Sequence, residues 1–497
     1  MSAMEKSDLP EVAKNRSNNA ALAVAETVER RGGAKENAGR QNTVQTQSRA
    51  AVSRAQARIR GAATRNKQAK LTALLHHLSV DVLRAGFLDL KKLAAPGVDE
   101  RTWADYAEGL EANLTDLHRR VHTGAYRALP SRRTYIPKAD GRQRPLGIAS
   151  LEDKIVQAAV VAILTPIYEA EFLGFSYGFR PGRNQHQALD ALAFGIGKRR
   201  INWVLDCDVQ SFFDKVSREW LIRFVEHRIG DRRIIRLIAK WLTAGVLEDG
   251  CLIDTGEGTP QGAVISPFLA NVYLHHVYDQ WAHQWRRRRA TGDVIIVRYA
   301  DDSIVGFEHQ QEAERFLADL KARLAHYGLN LHPDKTRLIE FGRHAIASRR
   351  AQGLGKPESF NFLGFTHYCA TRRNGSGFVL GRKPMAKRMR AKLREIKEQI
   401  MAIRHEGIDG QGQWLAQVLR GWMAYYAVPT SGSTLSAFRH HLIERWHAAL
   451  MRRSQRRRLT WTRMKTIADH YLPMPRILHP WPEQRFLVTI QGKSPVR

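Results

Sequence analysis

Tyr299-Ala-Asp-Asp302 lies between two short apolar strands, Val294 to Tyr299 and Ser303 to Phe307. Runs so rich in Val and Ile read as buried strands, and a hairpin turn between them holds two carboxylates at the end of a sheet. A third apolar strand, Trp203 to Val209, also ends in acids, Asp206 and Asp208. Unpaired carboxylates against an apolar sheet are costly, so a positive charge must compensate them. Two divalent cations about 4 Å apart would do so, and would stabilise both attacking and leaving oxygens in phosphoryl transfer. Magnesium takes few carboxylates and completes its shell with substrate phosphate, which suits two or three acids better than a full protein cage. Taken singly, an Asp-Asp pair is equally a solvated turn, and only the context of the rest of the chain decides between the two.

The partner of such a site is indicated by charge. Among 497 residues, 79 Lys and Arg face 48 Asp and Glu, a formal charge of +31. The basic residues are interleaved with Trp, Tyr and Phe, which favours a phosphate backbone over a membrane surface. The hydrophobic fraction of 43% excludes a wholly disordered chain. Cys207, Cys251 and Cys369 form no Cys-x-x-Cys pair, against both a disulfide scaffold and a cysteine-rich zinc site. They suit a reducing compartment, and a cytoplasmic location is expected. The longest apolar stretch, Ile155 to Tyr168, contains Gln157 and Pro166 and is shorter than the roughly 20 residues a bilayer needs. No signal peptide is evident, and no membrane partner is expected.

The pattern of elements is α+β. Residues 1–65, rich in Ala, Arg, Asn, Gln and Ser, read as a flexible basic N-terminal arm with marginal helix. Leu71, Leu74, Leu75 and Leu78 recur at helical spacing. Helices are expected over Trp103 to His122, Leu151 to Tyr168, Arg218 to Arg228, Arg232 to Ala244, Ser266 to Arg289 and Gln311 to Tyr327. Arg133 to Gly147 reads as strand, Asp-Gly turn and strand, and Phe360 to Thr366 as a further strand. From Gly381 the chain becomes helical. Met385, Met389, Leu393, Ile396, Ile400 and Ile403 form one stripe, and Trp414 to Tyr426 and Leu435 to Leu450 are two more helices. Residues 381–497 hold 23 Lys and Arg against 7 Asp and Glu, about half of the excess charge.

Several strings, which appear along the chain in the family's order, resemble the reverse transcriptase palm, and more closely the group II intron-encoded reverse transcriptase and maturase family of the type lacking an endonuclease. Val204-Leu-Asp-Cys-Asp-Val-Gln-Ser-Phe-Phe-Asp-Lys-Val216 is similar to the first catalytic block. The resemblance implies Asp208 as a metal ligand, with Asp206 as runner-up, a contribution from the Val209 carbonyl, and Asp214 as a structural residue capping the following helix. Asp301 and Asp302 match the metal-binding pair, so Asp208, Asp301 and Asp302 are the expected catalytic residues. Phe213 falls where an aromatic crowds the sugar 2′ position and selects deoxynucleotides; either Phe212 or Phe213 must also serve the core. Gly258-Thr-Pro-Gln-Gly-Ala-Val-Ile-Ser-Pro267 resembles the nucleotide-positioning block, with Gln261 as the contact. Tyr135-Ile-Pro-Lys138 and Arg142-Gln-Arg-Pro-Leu-Gly147 resemble the fingers, where Lys138 and Arg144 would grip a triphosphate.

Ser176-Tyr-Gly-Phe-Arg-Pro-Gly-Arg183 resembles the next finger block, which assigns Arg180 and Arg183 to template or primer phosphates. Gly328-Leu-Asn-Leu-His-Pro-Asp-Lys-Thr336 resembles the following palm block, in which Lys335 either donates a proton to pyrophosphate or only buttresses the sheet. Phe360-Asn-Phe-Leu-Gly-Phe365 resembles the primer grip, and Arg420-Gly-Trp-Met-Ala-Tyr-Tyr426 the maturase domain. Helical spacing makes Trp422, Tyr425 and Tyr426 core rather than base-stacking residues. Arg452, Arg453, Arg456, Arg457 and Arg458 form a run suited to structured RNA phosphates.

The resemblance implies a right-hand polymerase with fingers, palm and thumb and an all-α basic C-terminal maturase domain. Its expected divisions are an N-terminal extension and fingers over 66–200, a palm over 201–370, thumb and maturase helices over 381–470 and a tail over 471–497. It implies an RNA-directed DNA polymerase using two Mg2+ ions, or Mn2+. Its implied partners are dNTPs, an RNA template with DNA primer, target DNA and the group II intron RNA whose splicing it assists. Two rivals are a domesticated enzyme in defence or repair and a non-enzymatic RNA-binding splicing factor.

Overall fold

The computed structural model describes residues 38–137, 143–253, 256–259, 262–372, 375, 377–453 and 459–485, with side chains from residue 48 onward apart from those of residues 51 and 137. The first element is a 28-residue helix, α1 (Ala38–Arg65). Val52, Ile59 and Ala63 recur along one edge and pack into the core, and Gln56 Nε2 donates to the Ala162 carbonyl at 3.0 Å. A flexible arm therefore does not extend over residues 38–65: the apolar edge is narrow, but it suffices to dock the helix.

The Leu71–Leu78 spacing does not give a helix either. Only Leu75–His77 makes a single tight turn. Asp231 Oδ2 accepts the N–H groups of both Leu74 and Leu75 at 2.9 Å, and Leu71 pairs with Ile229, so the donors a helix would use are taken by a distant segment. Then follow α2 (Val80–Leu88), α3 (Trp103–Glu108) and α4 (Leu110–Thr123). Gly109 divides the helix expected over 103–122 into these last two. β1 (Ser131–Pro137) and β2 (Gln143–Ile148) form the expected hairpin, with Ile136 opposite Arg144. α5 (Leu151–Tyr168), capped by Ser150, is buried along most of its length.

The central part runs α6 (Gln185–Lys198), β3 (Trp203–Asp208), α7 (Phe212–Lys215), α8 (Arg218–Arg228), α9 (Arg232–Thr243), β4 (Val246–Glu248), β5 (Cys251–Ile253), α10 (Ser266–Leu274), α11 (Gln280–Arg288), β6 (Val294–Tyr299), β7 (Asp302–Phe307), α12 (Gln310–His326) and β8 (Arg337–Glu340). A π turn, His275–Asp279, joins α10 to α11, so the expected helix over 266–289 is one rod with a local bulge. β4 and β5 extend the hairpin into a sheet of order β2-β1-β4-β5.

The palm sheet has the order β6-β7-β3-β8 and every pair is antiparallel. Successive side chains alternate between faces. Val294, Ile296, Val305, Phe307, Leu205 and Cys207 enter one hydrophobic core, shared with α5, α8 and α10. Ile295, Val297, Ile304 and Val204 enter a second core, shared with the C-terminal helices. Helices cover both faces, which explains strands that read as continuous apolar runs.

α13 (Ala345–Ala351) precedes a three-stranded sheet of β9 (Phe360–Phe362), β10 (Phe365–Thr371) and β11 (Phe378–Pro384). The single strand expected over 360–366 is two strands, because Leu363 (φ 47) and Gly364 (φ 81) form a two-residue turn of the kind that closes hairpins. Four helices follow: α14 (Ala386–Ala402), α15 (Ile408–Tyr426), α16 (Gly432–Met451) and α17 (Trp461–Tyr471). The stripe Leu393, Ile396 and Ile400 is buried, as are Trp422, Tyr426 and Trp446. No helix among the described residues is long and apolar enough to cross a membrane.

Candidate active site

In the β3–β7 register Asp208 stands directly opposite Asp302. On the other side of β7, Asp302 faces Tyr299 of β6, so Ala300 and Asp301 are the two turn residues. Alternation places Asp208 and Asp206 on the face of Val204, and Asp302 on the face of Ile304. Asp208 and the adjacent pair Asp301 and Asp302, more than ninety residues further along the chain, thus meet at one sheet end.

The electrostatics match that crowding. Asp302 keeps an exposed edge, yet burial, reinforced by Asp301, Asp208 and Asp206, pushes its pKa up to about 7. Asp301 is also raised, by burial and by Asp208, against the opposing pull of Arg144 and Arg298. Asp206 is pushed up to about 7 by burial and by Asp208, with Arg337 opposing. Lys335 Nζ lies 2.6 Å from Asp208 Oδ2. The loop carrying Lys335 is tied to the strand end: His332 N–H donates to the Asp208 carbonyl at 2.7 Å, and Val209 bridges to Leu331. Among the described residues no three His, Cys, Asp or Glu side chains form a ready-made metal cage. The donor set nonetheless fits hard cations. It offers oxygen ligands only, repelling one another, on one accessible edge, as expected for magnesium that shares its shell with substrate phosphates.

The turn is held from beneath by residues that carried no functional expectation. Arg298, 1% exposed, donates Nε and Nη2 to Asp279 at 2.6 Å each, Nη2 to Ser176 Oγ at 2.7 Å, and Nη1 to Asn271 Oδ1 at 3.1 Å and to the Ala300 carbonyl at 2.8 Å. Gly178 packs on the same turn; a Cβ there would sit 2.3 Å from Ala300 N. The available signal was a lone Arg inside the apolar run Val294–Tyr299, with Asn271 and Asp279 in an equally apolar helix.

Phe212 is a core residue, 2% exposed, whereas Phe213 is half-buried. Both lie on the single turn α7, with Phe212 taking the core position. Thr259 N–H donates to the Phe213 carbonyl at 2.8 Å and Gly258 N–H to that of Val216 at 2.9 Å. Gly262 (φ 107) lies so close to Gly147 of β2 that a Cβ would meet its carbonyl at 2.8 Å. Gly258 and Thr259 therefore lie against the Phe213 turn and Gly262 against the hairpin that carries Arg144, an exposed residue whose charge acts on Asp301. Lys138 and Gln261 lie outside the described residues, as do Arg456, Arg457 and Arg458.

Two expectations are corrected. Arg180, 4% exposed, does not face phosphates: it pairs with Glu169 at 2.9 Å and donates to the carbonyls of Leu173 and Ser176. Its neighbour Arg183 is half-buried, donates to the Gly174 carbonyl at 2.5 Å and lies over the Tyr177 ring. Asp214 does not cap α8; Ser217 does, accepting from Trp220 N–H. Arg452 is exposed at the end of α16, and Arg453 donates to the His405 carbonyl at 3.3 Å.

Comparison with known proteins agrees with this geometry. Residues 136–367 match the family described as reverse transcriptase (RNA-dependent DNA polymerase), and residues 386–467 match the group II intron maturase-specific domain. Protein YkfC of Escherichia coli is 35% identical over 307 residues, covering 54% of this chain and 80% of its own length. The group II intron-encoded protein LtrA of Lactococcus lactis is 39% identical over 175 residues, 35% of this chain and 29% of LtrA. A 91 kDa protein in the cob intron of Schizosaccharomyces pombe is 27% identical over 426 residues, 73% of this chain and 51% of that protein. With the polymerase and maturase segments in one chain and in this order, the protein belongs to the group II intron-encoded reverse transcriptase and maturase family.

Proposed function

We propose that this chain is an RNA-directed DNA polymerase that also binds a group II intron RNA, assisting its splicing and mobility. The observation that carries the reading is the register pairing of Asp208 with Asp302 beside the Asp301 turn. In this reading Asp208, Asp301 and Asp302, with the Val209 carbonyl, hold two Mg2+ ions, or Mn2+, whose chemistry is to activate the primer hydroxyl and neutralise charge at the α-phosphate. The protein's own residues do the positioning. Phe213, whose carbonyl accepts from Thr259 N–H, is in this reading the aromatic that crowds the sugar 2′ position and selects deoxynucleotides. Arg144, with Lys138 and Gln261, orients the dNTP. Lys335, paired with Asp208 at 2.6 Å, either donates a proton to the leaving pyrophosphate or only buttresses the sheet.

The substrates in this reading are dNTPs and an RNA template with a DNA primer, and target DNA is the acceptor in mobility. Arg452 and Arg453, with the neighbouring arginines, contribute the RNA-binding charge. We place the protein in the bacterial cytoplasm or nucleoid, in keeping with three unpaired cysteines. Primer extension on an RNA template tests the polymerase claim. Asp301→Ala should lower the rate about a thousandfold; undiminished synthesis would exclude the reading. Crosslinking of RNA in cells tests the maturase claim, which requires one dominant intron and fails if unrelated transcripts are recovered equally.

A further inference from the structure

We infer that Arg298 is the positioning residue of the Tyr299–Asp302 turn, its guanidinium clamping the Ala300 carbonyl so that Asp301 and Asp302 are held in their working geometry. This rests on the reading of those two acids as the catalytic pair.

The turn needs a clamp. Ala300 has φ 57, a conformation in which glycine is usual and an L-residue is strained. Such strain persists only where the surroundings over-determine it. The Ala300 carbonyl accepts from Arg298 Nη1 at 2.8 Å. The other four guanidinium donors are spent on Asp279 (two), Asn271 and Ser176. These partners come from three places: Asn271 from α10, Asp279 from the π turn, and Ser176 from the loop before α6. All five donors of a rigid planar fork are therefore fixed, which fixes the one that reaches the turn.

The same frame grips the turn from a second side. Asn271 Nδ2 donates to the Gly178 carbonyl at 2.7 Å, and Gly178 is the residue pressed against Ala300 N. Asn271 thus links the arginine clamp to the glycine wedge. A fully enclosed Arg–Asp pair (1% and 0% exposed) is a poor device for stability alone, since well-packed apolar residues do as well. What apolar residues cannot do is hold a carbonyl at a set direction. The π turn belongs to the same device, because Asp279 supplies both carboxylate oxygens to the fork from within it.

The test is a set of variants of the full chain in RNA-templated primer extension, with thermal unfolding and template–primer affinity measured in parallel. Arg298→Lys retains a charge opposite Asp279 but loses the fork. It should lower kcat about a hundredfold, the scale expected from a small misplacement of reacting groups, while template–primer Kd and the KM for dNTP change little. Adding Ala300→Gly, which makes the turn conformation unstrained, should restore part of the lost kcat. A purely structural role for Arg298 would not give that rescue. Ser176→Ala, which leaves the Asp279 pair intact, should lower kcat less and in the same direction while the protein stays folded at the assay temperature, and it decides the matter if Arg298→Lys fails to fold. A folded Arg298→Lys or Ser176→Ala protein with wild-type kcat, or a loss that Ala300→Gly does not relieve, overturns the inference. Asp301→Ala separates the two levels. If it is inactive while Arg298→Lys is fully active, only the clamp is wrong; if it retains synthesis, the catalytic reading itself has failed.

Discussion

Lys335 and Asp208, 127 residues apart in the chain, form a 2.6 Å ion pair at the open end of the palm sheet. The lysine is 54% exposed, so the pair adds little to stability, under about 1 kcal/mol. Lys335→Met should therefore leave the urea midpoint almost unmoved while lowering the polymerisation rate about tenfold to a hundredfold. A rate equal to wild type with a clear loss of stability would instead assign Lys335 to buttressing the sheet.

Gly178→Ala should be among the most damaging single-carbon changes in the chain. The added Cβ would lie 2.3 Å from Ala300 N and 3.0 Å from the Tyr299 carbonyl carbon, both backbone, so neither can swing aside. The turn must shift, and synthesis should fall about a hundredfold. Gly197→Ala, whose Cβ meets nothing within 4 Å, is the matched control and should retain wild-type rate.

The two adjacent phenylalanines should separate cleanly. Phe212 is core, and Phe212→Ala should cost about 3–5 kcal/mol of stability by denaturant titration. Phe213 is half-buried beside the glycine block, and Phe213→Ala should raise ribonucleotide incorporation relative to deoxynucleotide with a smaller stability loss. Unchanged sugar discrimination in Phe213→Ala would remove that residue from the nucleotide pocket.

The parts of this protein that sequence made legible are those whose physics is local. Acids closing apolar strands drew attention to Asp206, Asp208, Asp301 and Asp302, the family resemblance singled out Asp208 from Asp206, and α5 and α8 run where their periodicity places them. Misreadings arose where a distant residue decided. Asp231 takes the Leu74 and Leu75 N–H groups and so prevents a helix that spacing alone favours. Arg180 read as a phosphate contact because a motif says nothing about burial, and Glu169 together with two carbonyls satisfies it internally. Arg298 was visible as a charge in an apolar strand, but its partners, Asp279, Asn271 and Ser176, lie on other elements and emerge only once the chain is folded.

His367 offers a measurable pH dependence. It lies fully buried on β10, stacked on Phe360 with ring centroids 4.8 Å apart and opposite Arg382 in the β10–β11 register. Burial first, then Arg382, lowers its pKa to about 3. The unfolded chain, with a histidine near 6.5, therefore takes up a proton that the folded protein refuses between about pH 6.5 and 3. Stability is complete above that window and falls on acidification, by about 1.4 kcal/mol per pH unit for one such group. The raised carboxyls of Asp206 and Asp302 act in the opposite sense, so a difference measurement is the proper check. Urea titrations at pH 7.5 and 5.5 should show wild type losing about 1.4 kcal/mol more than His367→Phe over the one unit that lies inside the window. Equal losses would mean that His367 is charged in the folded state.

The central claim is that carboxylates distant in sequence share divalent cations at one sheet end. Iron(II) substituted for magnesium and supplied with hydrogen peroxide and ascorbate is oxidised to iron(III) as it splits the peroxide into hydroxide and a hydroxyl radical that cuts the backbone nearest the bound ion, so mapping those cuts in the complex with RNA template, primer and dNTP reads the site directly. Two clusters of cuts are predicted, one around Asp208 and one around Asp301–Asp302, both suppressed by excess Mg2+ and both absent in Asp208→Asn. Cuts at one location alone, or two clusters that persist unchanged in Asp208→Asn, would contradict the account.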